Sequence, residues 1–211
     1  MIFYICLILI YIPLCLIFPT KVVSKKNLPT KGKMILTCNH QTNNDVLIIA
    51  YKLSKRRFYF MSKDSLFKNK FFGWFLKKLG AYPVKRGAND ISAIKTSMAL
   101  LKKEKALCLF PEGSRLISSE KNELKNGTAM FALKTGAPIV PTYLIRKTNA
   151  FRKNVLVVGK PFVLSEMDEF KDKKIDKDLL NAASKIISEK MFECRDEYFE
   201  NLHNKHAKFK K

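Results

Sequence analysis

The sequence predicts an α/β fold: a single domain with a largely parallel central sheet flanked by helices, preceded by an N-terminal hydrophobic membrane helix. Three observations carry that expectation. From residue 33 onward, short apolar runs alternate with segments of helical periodicity, the pattern of strand–helix–strand units. Two loops rich in polar and charged residues, 39–45 and 111–115, each follow such a run, and in parallel sheets sites form beyond the carboxyl ends of strands. The first 18 residues carry no charge. A chain of 211 residues suits one domain with one core, and no repeat, low-complexity stretch or linker divides it.

The opening segment, MIFYICLILIYIPLCLIF, would span ~27 Å as a helix, near the thickness of a bilayer's hydrocarbon core. A signal peptide would need a basic start and a small-residue cleavage site, and neither is present. A buried core helix is the plainer alternative, but such helices at a terminus ordinarily keep a polar face. Pro13 would kink the helix and favour a tilted or half-inserted segment. Residues 1–20 are therefore read as a membrane-anchoring segment and 21–211 as the folded domain. Lys21, Lys25 and Lys26 follow at once, which places the body on the cytoplasmic face.

Within the domain, KMILTC (33–38), RFYFM (57–61), ALCLF (106–110), PIVPTYL (138–144) and VLVV (155–158) read as strands, and GAYPVKRG (80–87) begins with a short extended piece. Helices are expected over 45–54, 65–79, 90–103 and 126–135. The 90–103 pattern is the cleanest, with Ile91, Ile94, Met98 and Leu101 on one face and Asn89 or Asp90 as cap. A last helix over 175–197 sets Ile175, Leu179, Ala183, Ile186 and Cys194 at helical spacing. The stretch LFKNKFFGWFLKKLG (66–80) holds the only tryptophan, four phenylalanines and four lysines, with the lysines not gathered on one face. It reads either as a core helix with charged flanks or as a membrane-surface element.

Lys and Arg total 40 against 18 Asp and Glu, a net charge of +22 with none of it in the first 20 residues. Such a field attracts nucleic acid, anionic membrane or phosphorylated substrates. No nucleic-acid motif accompanies it, so no specific nucleic-acid partner is expected. The cysteines at 6, 15, 38, 108 and 194 show no metal or disulfide spacing; Cys38 and Cys108 lie in apolar runs and read as buried small hydrophobes.

Chemistry points to CNHQTNND, 38–45. His40 is one of only three histidines, and Asp45 comes five residues later, where a helix begins. A carboxylate bonded to one ring nitrogen fixes the tautomer and leaves the other nitrogen free to accept a proton. No GxSxG elbow and no well-placed cysteine supplies a nucleophile, so such a dyad would activate a hydroxyl or water of the substrate. The plainer alternative is a capping Asp beside a surface His. Further on, LCLFPEGSR (107–115) ends a buried strand in a turn that can expose backbone N–H groups, with Arg115 able to grip a phosphate. Lys85 and Arg86 make a second phosphate clamp, and a turn with solvated charges is the alternative for both.

In order, NHQTNNDVL, GAYPVKRG, FPEGSR and APIVPTYL resemble the four blocks of the glycerolipid acyltransferase family, over about residues 30–163. The resemblance implies that His40 takes the proton of a glycerol hydroxyl while Asp45 orients it. The hydroxyl then attacks the thioester of acyl-CoA or acyl-carrier protein, with no acyl-enzyme. Arg86 and Arg115 fall in the blocks that hold the acceptor's phosphate, and Glu112, Gly113 and Ser114 in the turn that shapes its pocket. Thr42 and Ser114 exchange one hydroxyl for another, while Lys125 and Gly127 match a KxG that follows. Lys85 and Leu116 depart from the family pattern and bear on the acceptor headgroup. The partners implied are a lysophospholipid, first lysophosphatidic acid, an acyl thioester and an anionic membrane surface, with no metal or redox cofactor. Other lysophospholipids, glycerol phosphate or an aminolipid are rival acceptors. A non-catalytic, anchored basic protein that binds anionic lipid or nucleic acid is the rival class.

Overall fold

The computed structural model describes residues 12–85, 90–112 and 125–208. In chain order its elements are β1 (Thr20–Val23), β2 (Met34–Thr37), α1 (Asn44–Lys52), β3 (Phe58–Lys63), a 3-10 turn (Asp64–Phe67), α2 (Lys70–Lys78) and β4 (Ala81–Val84). There follow α3 (Ile91–Lys102), β5 (Ala106–Leu109), α4 (Gly127–Thr135), β6 (Ile139–Leu144), β7 (Asn154–Val158) and α5 (Lys177–Lys208). The strands form one sheet in the order β1-β7-β6-β2-β5-β3-β4. Every neighbouring pair is parallel except β6–β7. That exception has a simple cause: residues 145–153 contain no crossover helix, so the chain turns straight back. The expected α/β domain with a largely parallel sheet is what the chain builds.

Alternate residues of each strand feed the two sides of the sheet. Met34, Leu36 and Cys38 pack with Ile48, Ile49 and Tyr51 of α1 on one side. Ile35, Leu107 and Leu109 pack with Leu101 of α3, Phe131 of α4 and Ile187 of α5 on the other. Asp90 is the α3 cap, accepting the Ala93 N–H at 3.0 Å. Gly80 turns α2 into β4 at φ 99°, where a Cβ would run into the Phe58 carbonyl oxygen.

One strand, β1, lies where none was expected, while the short extended piece at the start of GAYPVKRG is β4. β1, with the sequence TKVV, is a four-residue edge strand too short to show periodicity. β4 is the opposite edge, the position in a sheet that tolerates Pro83. Helix α2 begins at Lys70 rather than 65, because the Asn69 side chain caps it by accepting the Phe72 N–H at 3.0 Å. Helix α5 continues to Lys208, well past 197.

Of the segment expected to anchor the chain, residues 1–11 lie outside the described residues. Residues 12–17 are helical, with Ile12 and Leu16 exposed while Leu14 and Phe18 join the first core. The Tyr51 hydroxyl donates to the Phe18 carbonyl, which binds the foot of this segment to α1. Among the described residues, no helix is long and apolar enough to cross a membrane.

Candidate active site

Because β2 lies between β5 and β6, the loops leaving those strands meet at one edge of the sheet. Asn39, the second residue beyond β2, closes the strand. Its side chain donates to the Leu144 carbonyl at 3.0 Å and accepts the Leu144 N–H at 2.7 Å. That two-way clamp mimics a backbone ladder and fixes where the next residue starts.

The next residue is His40. Its Nδ1 lies 3.1 Å from Oδ2 of Asp45, which is fully buried, while the His40 side chain keeps 13% exposure. The same Oδ2 accepts the N–H groups of Gln41 and Thr42, each at 2.7 Å. The other oxygen, Oδ1, accepts the hydroxyls of Thr42 and Thr148, each at 2.8 Å. Burial alone would raise this carboxyl's pKa. The His40, Thr42, Gln41 and Thr148 bonds outweigh it and hold Asp45 below its ordinary value of 3.8. An ionised carboxylate can only accept, so the hydrogen facing Asp45 belongs to Nδ1, and in the neutral imidazole this tautomer leaves the lone pair on Nε2. Thr42 completes the turn, its hydroxyl accepting the Asn44 N–H at 3.3 Å as α1 begins.

The loop after β5 supports the ring from the other side. Phe110 stacks on it, centroids 4.2 Å apart at 25°. Glu112 accepts the His40 backbone N–H at 3.1 Å. Burial raises the Glu112 carboxyl's pKa above the ordinary value, against the lowering effect of that N–H bond and of His40 itself. The result is an imidazole held at its plane, its Nδ1 edge and its backbone, with a polarised Nε2 available. That arrangement suits general-base chemistry on a substrate hydroxyl.

The structure thus brings together His40, Asp45 and Glu112. Arg86, Gly113, Ser114 and Arg115 lie outside the described residues. The segments that lead to them do reach this edge: β4 ends at Val84, three strand spacings or about 14 Å from β2. Glu112 itself is the residue before Gly113. The Lys125 N–H donates to the Pro111 carbonyl at 2.9 Å, which places Lys125 beside the turn that holds Glu112. Cys38 and Cys108 are both buried, and burial pushes the Cys38 thiol up to about 12. Among the described residues, no cluster of three His, Cys, Asp or Glu side chains is arranged to hold a metal. Thr148, Phe110 and the Asn39 clamp escape sequence reasoning. Thr148 sits 103 positions from Asp45 in a stretch without periodicity.

The chain matches the family model described as Acyltransferase over residues 19–145. It is 35% identical to the 1-acyl-sn-glycerol-3-phosphate acyltransferase of Bacillus subtilis over 146 residues, 67% of this chain and 72% of that one. It is 33% identical to the protein of that name from Streptococcus pneumoniae over 176 residues, 81% of this chain and 63% of that one. Among solved structures it resembles the 1-acyl-sn-glycerophosphate acyltransferase of Thermotoga maritima with a TM-score of 0.65, covering 85% of this chain and 72% of that one. At 20% identity that likeness shows a shared fold.

Proposed function

This chain belongs to the acyltransferase family and is an O-acyltransferase, and from that premise we propose that it acylates the free hydroxyl of lysophosphatidic acid to give phosphatidic acid. The donor is an acyl thioester, acyl-CoA or acyl-carrier protein. The observation that carries the reading is the His40–Asp45 pair, 3.1 Å apart at the sheet edge, with the carboxylate fixed in place against the ring by the Gln41, Thr42 and Thr148 donors.

Nε2 of His40 takes the proton of the acceptor hydroxyl as its oxygen attacks the thioester carbonyl carbon. A C–O bond forms, the tetrahedral intermediate collapses, the C–S bond breaks, and the thiolate recovers the proton from the imidazolium. Asp45 stays ionised throughout and stabilises the transient imidazolium. The thioester supplies the driving force, so the reaction asks for no metal or redox cofactor. Arg86 and Arg115 bind the acceptor's phosphate, and Glu112, Gly113 and Ser114 shape its pocket. The apolar N-terminal segment attaches the enzyme to the membrane, with the domain on the cytoplasmic face. An enzyme so attached meets its lipid acceptor in two dimensions.

The test is purified protein in detergent with labelled lysophosphatidic acid and each donor in turn. Phosphatidic acid as product is expected with at least one donor. Turnover only on another lysolipid would move the acceptor, and silence on every lysolipid would overturn the reading.

A further inference from the structure

Helix α2 presents an apolar surface that no other described element covers. Phe71 is 79% exposed and Trp74 49%, and Phe72 and Leu66 are exposed beside them. Phe71 and Trp74 stack at 6.2 Å, and the Lys78 ammonium lies 5.6 Å from the Trp74 ring centre. This geometry is held from below. Gly73 packs so tightly on the preceding turn that a Cβ there would meet the Phe67 carbonyl oxygen at 3.0 Å. Gly73 therefore faces inward, and its neighbours Phe72 and Trp74 face out.

Charge decides what the surface fits. Between Lys63 and Lys78 there are five lysines and a single acid, Asp64. Lys63, Lys68, Lys70 and Lys77 are all exposed. Lysine is depleted at protein–protein contacts, whereas aromatic rings set among lysines suit the boundary between headgroups and acyl chains of an anionic bilayer. Position agrees. β3, which leads into this turn and helix, runs parallel to β5 and ends at the same sheet edge as His40, two strand spacings or about 10 Å from β2.

We propose that α2 and the turn before it form an interfacial docking element. Phe71, Phe72 and Trp74 enter the acyl-chain boundary of an anionic membrane, and the surrounding lysines bind lipid phosphates. Docked this way, the membrane lies against the edge of the sheet that carries the His40–Asp45 pair. The functional part of this inference rests on the reading that the acceptor is a membrane lipid.

Trp74 is the only tryptophan, so tryptophan emission, excited selectively beyond the tyrosine band, reads this surface alone, whatever else holds the chain to the bilayer. The full chain is mixed with vesicles of phosphatidylglycerol and phosphatidylcholine, with or without bromine in the upper acyl chain. Trp74 emission should shift to shorter wavelength and be quenched by the brominated lipid. Pure phosphatidylcholine should give a weaker effect, as should Lys70→Glu/Lys77→Glu. Phe71→Ser/Phe72→Ser should lose the shift and weaken Trp74 quenching by about tenfold in lipid concentration. These are exposed positions, and circular dichroism checks that the variants fold. An unshifted, unquenched Trp74 on vesicles that sediment with the protein would overturn the proposal. So would a shift that grows with protein concentration in lipid-free buffer, since a second copy would then cover the helix. Acyl transfer measured in detergent tests the catalytic reading separately, because it needs no vesicle.

Discussion

The Thr148 hydroxyl donates to Oδ1 of Asp45 at 2.8 Å, joining the β6–β7 connection to the start of α1 across 103 residues of sequence. Thr148 is itself buried, and Asn154 anchors the same connection by donating to the Arg146 carbonyl at 2.8 Å and accepting the Arg146 N–H at 3.1 Å. The dyad is thus oriented by a part of the chain outside the His40 loop. Thr148→Val removes a hydrogen bond to a charged group and should cost about 1.5–3 kcal/mol of stability. It should also lower kcat with little change in KM, and Thr148→Ser should restore both. Steady-state kinetics beside denaturant unfolding of the two variants checks this.

Asp45→Asn keeps the shape and loses the charge. An amide in that place cannot accept from His40, Gln41, Thr42 and Thr148 together, and its NH2 group faces donors. With the Nδ1 hydrogen no longer fixed, kcat should fall on the order of 10²–10⁴-fold. The binding of a lysolipid, followed by titration, should stay near native.

Asp45 and Glu112 predict opposite pH effects on stability. The Asp45 carboxyl is held down, so its contribution is complete above the unfolded value of 3.8 and is lost as pH falls through the lower folded value. The Glu112 carboxyl is pushed up from 4.5 by burial, so its ionisation costs nothing below that pH and destabilises increasingly as pH rises through the folded value. Glu112→Gln, which can still accept the His40 N–H, should therefore gain stability over the native chain between pH 4 and pH 7. Denaturant midpoints at both pH values measure the gap; a constant gap contradicts the account.

Thiol reagents should leave the native enzyme active. Cys38 and Cys108 are buried within β2 and β5 territory, and burial raises both thiols far from the reactive range. Mass spectrometry after N-ethylmaleimide treatment should show both unmodified in folded protein, with activity retained.

Legibility in the sequence follows the range of each interaction. The five-residue gap from His40 to Asp45 spans one turn from strand to helix, so the pair can be read locally. The strands buried on both faces, such as β2 and β5, announce themselves as apolar runs. The edges are fainter: β1 gives no signal and β4 only a short extended piece, because each is four residues long and half-solvated. Glu112 is visible as a charge after a buried strand, but its bond to the His40 backbone depends on β2 and β5 being neighbours in register, Thr37 opposite Leu109. Thr148 depends on β6 lying at the other side of β2 and has no local signal at all. For the stretch around α2 the sequence leaves two readings open, a core helix or a membrane-surface element, and the exposure of Phe71 and Trp74 separates them.

The central claim is that His40 is the base and that the acyl group passes directly to the acceptor. The most direct measurement is a single-turnover reaction of native protein and His40→Ala with a labelled acyl thioester and lysophosphatidic acid, quenched in acid and read for both labelled lipid and labelled protein. The account predicts native product without labelled protein, and a rate for the folded variant lower by about 10²–10⁴-fold. Near-native product from His40→Ala, or acyl label held covalently by the protein before the acceptor is added, would contradict it.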